Sequence, residues 1–319
     1  MHYFGRAIVG IMGLLSICLF CTMLHAQDIQ AITETSPSPL PSVETKEALP
    51  LWQAVALGLI EGATEYLPVS STGHLLIFQR WIGQGASTEE SEAANALAIC
   101  IQVGAILAVV ILYFGRLQQI VRGLLGGDRD GLSLAINLII AFLPAAAIGI
   151  VFGKKIKAHL FNIHSVTIAI FVGALIILAM PRTKTTPETD TGKELREMSW
   201  WDALIVGLCQ CCAFWPGFSR SLSTIVGCRI VRLKMSAAVE FSFLLGLITL
   251  SAATAKEGLD HGSKIIEYYG VTSPVVALVV AFISAVISVR FMVGMLTRFG
   301  LAPFGYYRIL LAALCLLLW

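Results

Sequence analysis

Charged residues are scarce in this chain of 319 residues. Asp, Glu, Lys and Arg make up 13% of it, whereas hydrophobic residues make up 57%. A soluble globular domain ordinarily carries about 25% charge, so the composition excludes that class. Apolar stretches recur along nearly the whole length, which is typical of a helical protein that crosses a membrane several times.

Two further absences narrow the function. No basic tract is interleaved with aromatic residues, so nucleic acid is not indicated as a partner. Cysteines are present, but a disulfide framework is expected only in small secreted chains. The cluster at Cys209, Cys211 and Cys212 has no His or Cys partner group at the spacing of metal ligands. We interpret the cysteines as reduced packing residues.

The first 48 residues differ in composition from the rest. Arg6 precedes an apolar stretch that ends near Ala26, which predicts a signal peptide over residues 1–26, with an uncleaved N-terminal anchor helix as the alternative. Residues 27–48 are rich in Ser, Thr, Pro and Glu and are predicted to form a disordered exported linker. The membrane domain is then expected over residues 49–319.

One stretch, residues 57–78, carries reactive side chains on an apolar background. Glu61 and Glu65 are four residues apart, so they would share one face of a helix. Pro68 is expected to end that helix. The residues after it suit the capped start of a second helix, whose free N–H groups would form an anion site: Ser70, Ser71, Thr72, Gly73 and His74.

The hydrophobic pattern predicts two broken hairpins. Residues 51–67 and 74–83 are each too short or too polar to span a bilayer core of about 30 Å, so they indicate a re-entrant hairpin. A second such pattern covers residues 203–231, broken at Pro216. Three predicted spans follow each hairpin, at 95–113, 134–152 and 165–180, and at 237–255, 274–294 and 304–319.

The two halves also echo each other. Gly58-Leu-x-Glu61 matches Gly207-Leu-x-Gln210, and Pro68-Val-Ser-Ser-Thr matches Pro216-Gly-Phe-Ser-Arg-Ser with a slip of one residue. We therefore predict an all-α integral membrane protein built as an inverted-topology repeat, with six transmembrane helices plus two re-entrant helical hairpins. The repeats are expected over about 51–180 and 200–319.

Lys and Arg are distributed unevenly between the two predicted sides. Most fall in the segments at 116–129, 182–196 and 229–234, which marks that side as cytoplasmic. Residue 50 and both termini would then lie outside. An odd number of spans per half makes the hairpins enter from opposite sides, so their broken tips would meet near the middle of the membrane.

The ionisable residues at membrane depth predict phosphate chemistry. Arg220, flanked by Ser219 and Ser221, suits phosphate oxygens, and the carboxylates of Glu61 and Glu65 suit a divalent cation such as Mg²⁺ or Ca²⁺. A Ser or His at the phosphorus would complete phosphoryl transfer. Structural readings stay open: the glutamates as ion-pair partners of Arg220, and the hydroxyls as simple caps.

Other charged residues are interpreted as structural. Glu240 fits a structural partner of the nearby basic stretch as well as it fits a site residue. Arg290 and Arg308 lie near predicted span ends, and we expect them to extend towards the interface or to bind lipid.

Two motifs resemble a known family. Glu61-Gly-x-Thr-Glu65-x-Leu-Pro-Val-Ser-Ser-Thr-Gly-His74, taken with Pro216-Gly-Phe-Ser-Arg220-Ser221, is similar to the pattern of the bacterial undecaprenyl-diphosphatase (bacitracin-resistance) family. Gln102-x-Gly-Ala-Ile-Leu-Ala-Val109, Glu240-Phe-Ser-Phe-Leu-Leu245 and Tyr307-Arg308 also fit. The resemblance covers about residues 48–319. Leu222 departs from it, because the family usually has glycine there.

The resemblance implies a phosphatase of the plasma membrane that hydrolyses undecaprenyl diphosphate to the monophosphate, recycling the carrier lipid for peptidoglycan synthesis. It implies that Glu61 and Glu65 bind metal or act in acid–base chemistry. Ser71 and His74 would be the nucleophile and its base, in an order that stays open, and Arg220 the diphosphate clamp. Further substrate contacts are expected from Ser70, Thr72, Gly73, Ser219, Ser221 and Thr224.

The partners expected from this are a polyprenyl diphosphate and the membrane lipid, with a homodimer left open and the site open to the periplasmic side. The alternative is a transporter or flippase for undecaprenyl phosphate or a related anion, because inverted repeats with broken helices are typical of secondary transporters. A transporter would not need Glu61, Glu65 and His74 together beside a hydroxyl, which favours the enzyme.

Overall fold

The computed structural model describes residues 49–84, 88–180 and 190–318. The predicted signal peptide and linker lie outside these residues. Within them, every regular element is a helix. The α-helices are α1 (Leu51–Thr64), α2 (Ser71–Trp81), α3 (Thr88–Cys100), α4 (Gln102–Leu112), α5 (Phe114–Leu124), α6 (Arg129–Leu160), α7 (Ile163–Ala179), α8 (Trp200–Gln210), α9 (Arg220–Ile230), α10 (Met235–Tyr269), α11 (Thr272–Phe299) and α12 (Ala302–Leu318).

Four helical segments among the described residues are long and apolar enough to cross a membrane. They are Ala93–Leu112, Arg129–Gly153, Met235–Tyr269 and Thr272–Phe299. The other two predicted spans correspond to α7 and α12, which have 17 residues each. This is the short limit for a spanning helix, about 17 residues, and the two pack against each other. The protein is thus a helical membrane protein.

Several element boundaries differ from the prediction. The span expected at 134–152 is part of α6, and the span expected at 237–255 is part of the 35-residue α10. Hydropathy falls at the membrane surface, but the backbone hydrogen bonds of a helix can continue into water, so both helices extend further than the apolar run. α5 was not predicted, because its apolar residues cover only one face; Phe114, Val121 and Leu124 of this helix are exposed.

The two broken hairpins are present and match in length. The first hairpin consists of α1, a turn over residues 65–70 and α2, and the second consists of α8, a 3-10 helix at Cys211–Phe214, a turn over residues 215–219 and α9. The same number of residues separates the starts of α1 and α8, the starts of α2 and α9, and the ends of α2 and α9. The predicted slip of one residue is therefore wrong, because Ser70 aligns with Ser219, and Pro68 with Gly217 rather than with Pro216.

Each hairpin packs closely on a long helix of the other half. A Cβ on Gly58 of α1 would lie 2.3 Å from the Ala277 carbonyl oxygen of α11. A Cβ on Gly207 of α8 would lie 2.5 Å from the Ala141 carbonyl oxygen of α6. No side chain fits at such distances, so the two glycines allow helix backbones to touch. These contacts fix where the hairpin turns lie.

Candidate active site

Two strained serines mark the turns of the hairpins. Ser70 has φ +73° and Ser219 has φ +83°, a region that L residues other than glycine seldom occupy. Each caps the following helix: Ser70 Oγ accepts from the Gly73 N–H at 3.2 Å, and Ser219 Oγ accepts from the Leu222 N–H at 3.3 Å. Such strain persists where the surroundings enforce it, often at functional sites.

The hairpins are joined by direct contacts between their turns. Arg220 Nη2 donates to Glu65 Oε1 at 2.8 Å, and the Ser221 hydroxyl donates to the Leu67 carbonyl oxygen at 2.8 Å. The guanidinium also donates to the Ser242 carbonyl oxygen of α10 at 3.0 Å. Side chains that are distant in the sequence thus form one cluster, as the prediction of meeting hairpin tips required.

Glu65 is shared between a cation and a hydroxyl. Its Oε1 faces Arg220, and its Oε2 accepts a hydrogen bond from the Ser71 hydroxyl. Ser71 begins α2, and both Ser71 and Glu65 are buried. A serine hydroxyl beside a carboxylate is the arrangement of a nucleophile with an adjacent base.

His74 has two partners, and neither is Ser71. Its Nδ1 lies 2.7 Å from the Ser70 carbonyl oxygen, and its Nε2 lies 2.7 Å from the Tyr307 hydroxyl of α12. A carbonyl only accepts, so Nδ1 carries a proton and donates to it. In this structure the Ser71 hydroxyl therefore donates to Glu65 and does not pair with His74, as the resemblance implied it would.

Glu61 lies one helical turn before Glu65 and is fully buried. Within the part of the chain that the structure describes, neither of its carboxylate oxygens has a hydrogen-bond partner. Gln210, at the matching position of the second hairpin, is 2% exposed, and its amide atoms likewise have no partner among the described residues. A buried polar group without a partner is costly, so free oxygens at Glu61 suit a ligand that arrives from outside the chain.

The chain offers only part of a metal shell. No group of three or more His, Cys, Asp or Glu side chains is placed to hold a metal ion among residues 49–84, 88–180 and 190–318. Glu61 has free oxygens, whereas those of Glu65 are already engaged. This donor set fits Mg²⁺, which commonly takes one or two carboxylates and completes its shell with water and substrate phosphate.

The other predicted contact residues lie at the starts of α2 and α9 or just before α9. Ser219 and Ser221 hydroxyls lie 3.0 Å apart, Gly73 lies against Ile170 of α7, and Thr72 is half-buried at the start of α2. The Thr224 hydroxyl donates back to the Arg220 carbonyl oxygen at 3.0 Å. Its oxygen also lies 2.6 Å from the Ser242 hydroxyl, so Thr224 supports α9.

The structure shows the contacts of two charged residues that lie outside the hairpins. Glu240 forms an ion pair with Arg116 at 2.5 Å, which agrees with the structural reading. The expectation for Arg308 was wrong: its side chain is fully buried and hydrogen-bonded to backbone carbonyls. Local sequence could not reveal this, because the surrounding apolar run is the same for a residue at a span end and for one in the core.

Leu222, the departure from the family pattern, is fully buried. One of its methyl groups would lie 2.9 Å from a Cβ placed on Gly173 of α7. The side chain therefore packs against α7.

The architecture and the cluster define a class of protein. In this helical membrane protein, two broken hairpins bring together the half-buried Arg220, the Ser71–Glu65 pair, the Glu61 carboxylate and two helix N-termini. These groups suit an anionic ligand.

Comparison with known proteins gives the family. The profile of the family described as "Bacitracin resistance protein BacA" matches residues 54–314. A protein of Sorangium cellulosum named undecaprenyl-diphosphatase is 44% identical over 266 residues, covering 83% of this chain and 85% of the relative. "Undecaprenyl-diphosphatase 2" of Rhodospirillum rubrum is 42% identical over 81% of this chain and 91% of its own length. The chain belongs to the BacA family.

Proposed function

We propose that this protein hydrolyses undecaprenyl diphosphate to undecaprenyl phosphate and inorganic phosphate. Its relatives carry the name of that activity. The observation that supports it in this chain is the shared Glu65 carboxylate, which pairs with Arg220 across the hairpins and accepts from Ser71. Recycling of the carrier lipid and resistance to bacitracin would be the cellular consequences.

Ser71 is the proposed nucleophile and Glu65 its base. The Ser71 oxygen attacks the terminal phosphorus while its proton passes to Glu65, and the bond from that phosphorus to the bridging oxygen breaks, releasing undecaprenyl phosphate. Water then cleaves the phosphoserine, releasing phosphate and restoring Ser71, with Glu65 as acid and base in turn. Arg220 and the N–H groups that start α2 and α9 would stabilise the charge on the transferred phosphoryl group.

A divalent cation, Mg²⁺ or Ca²⁺, is the proposed cofactor. Glu61 would hold it, with Glu65 contributing when its other partners shift. The ion would neutralise charge on the diphosphate oxygens. Glu61 supports this because its buried oxygens have no partner among the described residues.

The proposed architecture is an inverted repeat, with halves at about 51–180 and 200–319. Matching helix starts, the Ser70 and Ser219 turns and the Gly58 and Gly207 contacts support it. The packing also supports the repeat, because the first hairpin helix of each half packs on a long helix of the other half: α1 packs on α11, and α8 packs on α6. We propose six spans in the plasma membrane, with both termini and the site facing the exported side; maleimide labelling of single cysteines introduced in the loops tests this orientation.

The direct test is phosphate release from undecaprenyl diphosphate by purified protein, with Mg²⁺ and with a chelator. Metal-dependent release by wild type, lost in Arg220→Ala, is expected. The transport alternative is not supported by the names of the relatives. Wild-type protein that binds the lipid and moves it across vesicles without releasing phosphate would restore it.

A further inference from the structure

Arg308 of α12 is a buried cation whose hydrogen-bond partners are all neutral. Its side chain is fully buried. Nε donates to the Ile170 carbonyl oxygen at 3.0 Å and Nη2 to that of Ala169 at 3.1 Å, both on α7. No ion pair within the described ranges includes it. A buried charge without a counter-ion is costly, so its retention calls for a reason.

The other two bonds of Arg308 go to the turns of both hairpins. Nη1 donates to the Pro68 carbonyl oxygen at 3.3 Å, and Nη2 donates to the Gly217 carbonyl oxygen at 2.9 Å. These carbonyls occupy matching positions, each two residues before the serine with positive φ. One guanidinium thus bonds the same point of both turns.

α7 and α12 are shaped around this contact. A Cβ on Gly173 of α7 would lie 2.2 Å from Arg308 Nη2 and 2.8 Å from its Cζ, so the absence of a side chain makes room for the guanidinium. The neighbouring Tyr307 holds His74, which in turn donates to the Ser70 carbonyl oxygen. The first turn is therefore braced twice from α12.

We propose that Arg308 is a positioning residue of the diphosphate site. It holds the turns of the two hairpins at one spacing and adds a fixed positive charge near the helix N-termini that receive the anion. Arg220, whose partner is a carboxylate, would contact the substrate, whereas Arg308 is enclosed by backbone and acts through the turns. This inference rests on the proposed diphosphatase function.

The test compares Arg308→Met, which removes the charge, with Arg308→Lys and Gly173→Ala. Lys keeps the charge but not the planar fork, and the added methyl group of Ala displaces the guanidinium without changing the charge. Arg290→Met, at an exposed cation of α11, is the control. The readouts are kcat and KM for undecaprenyl diphosphate, the affinity for inorganic pyrophosphate by calorimetry, and the melting temperature.

We expect Arg308→Met to weaken pyrophosphate binding about tenfold and to lower kcat. Arg308→Lys and Gly173→Ala should bind pyrophosphate nearly as tightly as wild type. Their kcat should fall by up to about 10²-fold, because the groups of the site are misplaced. Arg290→Met should match wild type. The proposal is overturned if folded Arg308→Met keeps wild-type kcat and affinity. If Arg308→Met does not fold, the proposal is overturned when Arg308→Lys and Gly173→Ala keep wild-type kcat and affinity. Wild-type protein that binds pyrophosphate but releases no phosphate from undecaprenyl diphosphate would instead overturn the proposed diphosphatase function. The pyrophosphate affinities of the variants would still test the role of Arg308.

Discussion

The carboxylate of Glu65 lies 2.8 Å from the Arg220 guanidinium of the other hairpin and accepts the Ser71 hydroxyl on its second oxygen. This contact unites two segments separated by 155 residues. The ion pair with Arg220 holds the Glu65 carboxylate in place, so that it can orient the Ser71 hydroxyl. A substrate phosphate would compete with Glu65 for Arg220.

Replacing Ser71 should remove activity more completely than replacing His74. Ser71→Ala deletes the proposed nucleophile, so we expect phosphate release to fall by at least about 10³-fold. His74→Ala loses only the ring that bridges Ser70 and Tyr307, and a smaller loss is expected. Steady-state phosphate release measures both. A larger loss in His74→Ala than in Ser71→Ala would contradict the assignment.

The two glutamates should differ in their effect on stability. Glu65→Gln takes the charge from a buried ion pair and leaves Arg220 without a carboxylate, which can cost up to about 3–5 kcal/mol. Glu61→Gln breaks no hydrogen bond among the described residues, so without divalent cations its melting temperature should equal or exceed that of wild type. Thermal unfolding in detergent with a chelator, then with Mg²⁺, measures this. A Mg²⁺-induced rise in melting temperature should occur in wild type and vanish in Glu61→Gln.

Added methyl groups should separate packing glycines from free ones. Gly58→Ala and Gly207→Ala place a Cβ within 2.3 Å and 2.5 Å of a backbone oxygen, so both should lower the melting temperature. The control is Gly294→Ala in α11, where a Cβ meets nothing within 4 Å. Since Ala favours a helix over Gly by roughly 0.8–1 kcal/mol, the control should be neutral or stabilising. Equal effects at all three positions would contradict the close helix contacts.

The loop before α8 should contribute stability that depends on pH. Partial burial raises the pKa of Asp190, but hydrogen bonds from the Met235 N–H and from Arg229 outweigh this and hold that pKa below its usual range. A depressed pKa stabilises the fold above the unfolded value of about 3.9, and the stabilisation is lost as the pH falls through the folded value.

Asp190→Asn should therefore lower the melting temperature at pH 7, and its difference from wild type should shrink below about pH 4. Asp130→Asn, at an exposed carboxylate of α6, is the control. Melting curves from pH 7 to pH 3 measure the effect. A difference from wild type that stays constant over that range would count against the account.

The sequence predicted most of the fold because its signals are local. Pro68 and the hydroxyl residues after it indicated a broken helix, and the structure has α2 starting at Ser71. Hydropathy located the spans but not the ends of α6 and α10, since helices continue beyond the apolar core. The one-residue slip arose from aligning Pro68 with Pro216, whereas backbone geometry aligns Ser70 with Ser219.

The residues of the candidate site were predicted better than the contacts between them. Glu65, Ser71 and Arg220 do meet, but the partner of Ser71 is set by how the turn is folded, which spacing alone does not determine. Arg308 was misplaced because its depth depends on four carbonyls that come from three different parts of the chain. Such tertiary contacts leave no signal in neighbouring residues.

The stereochemical course at phosphorus distinguishes attack by Ser71 from direct attack by water. Undecaprenyl diphosphate carrying a terminal thiophosphate made chiral with ¹⁸O would be hydrolysed by wild-type protein in H₂¹⁷O, and the configuration of the released thiophosphate would be determined. Attack by Ser71 followed by attack of water involves two displacements, so we expect overall retention. Inversion would show that water attacks directly, and Ser71 would not be the nucleophile.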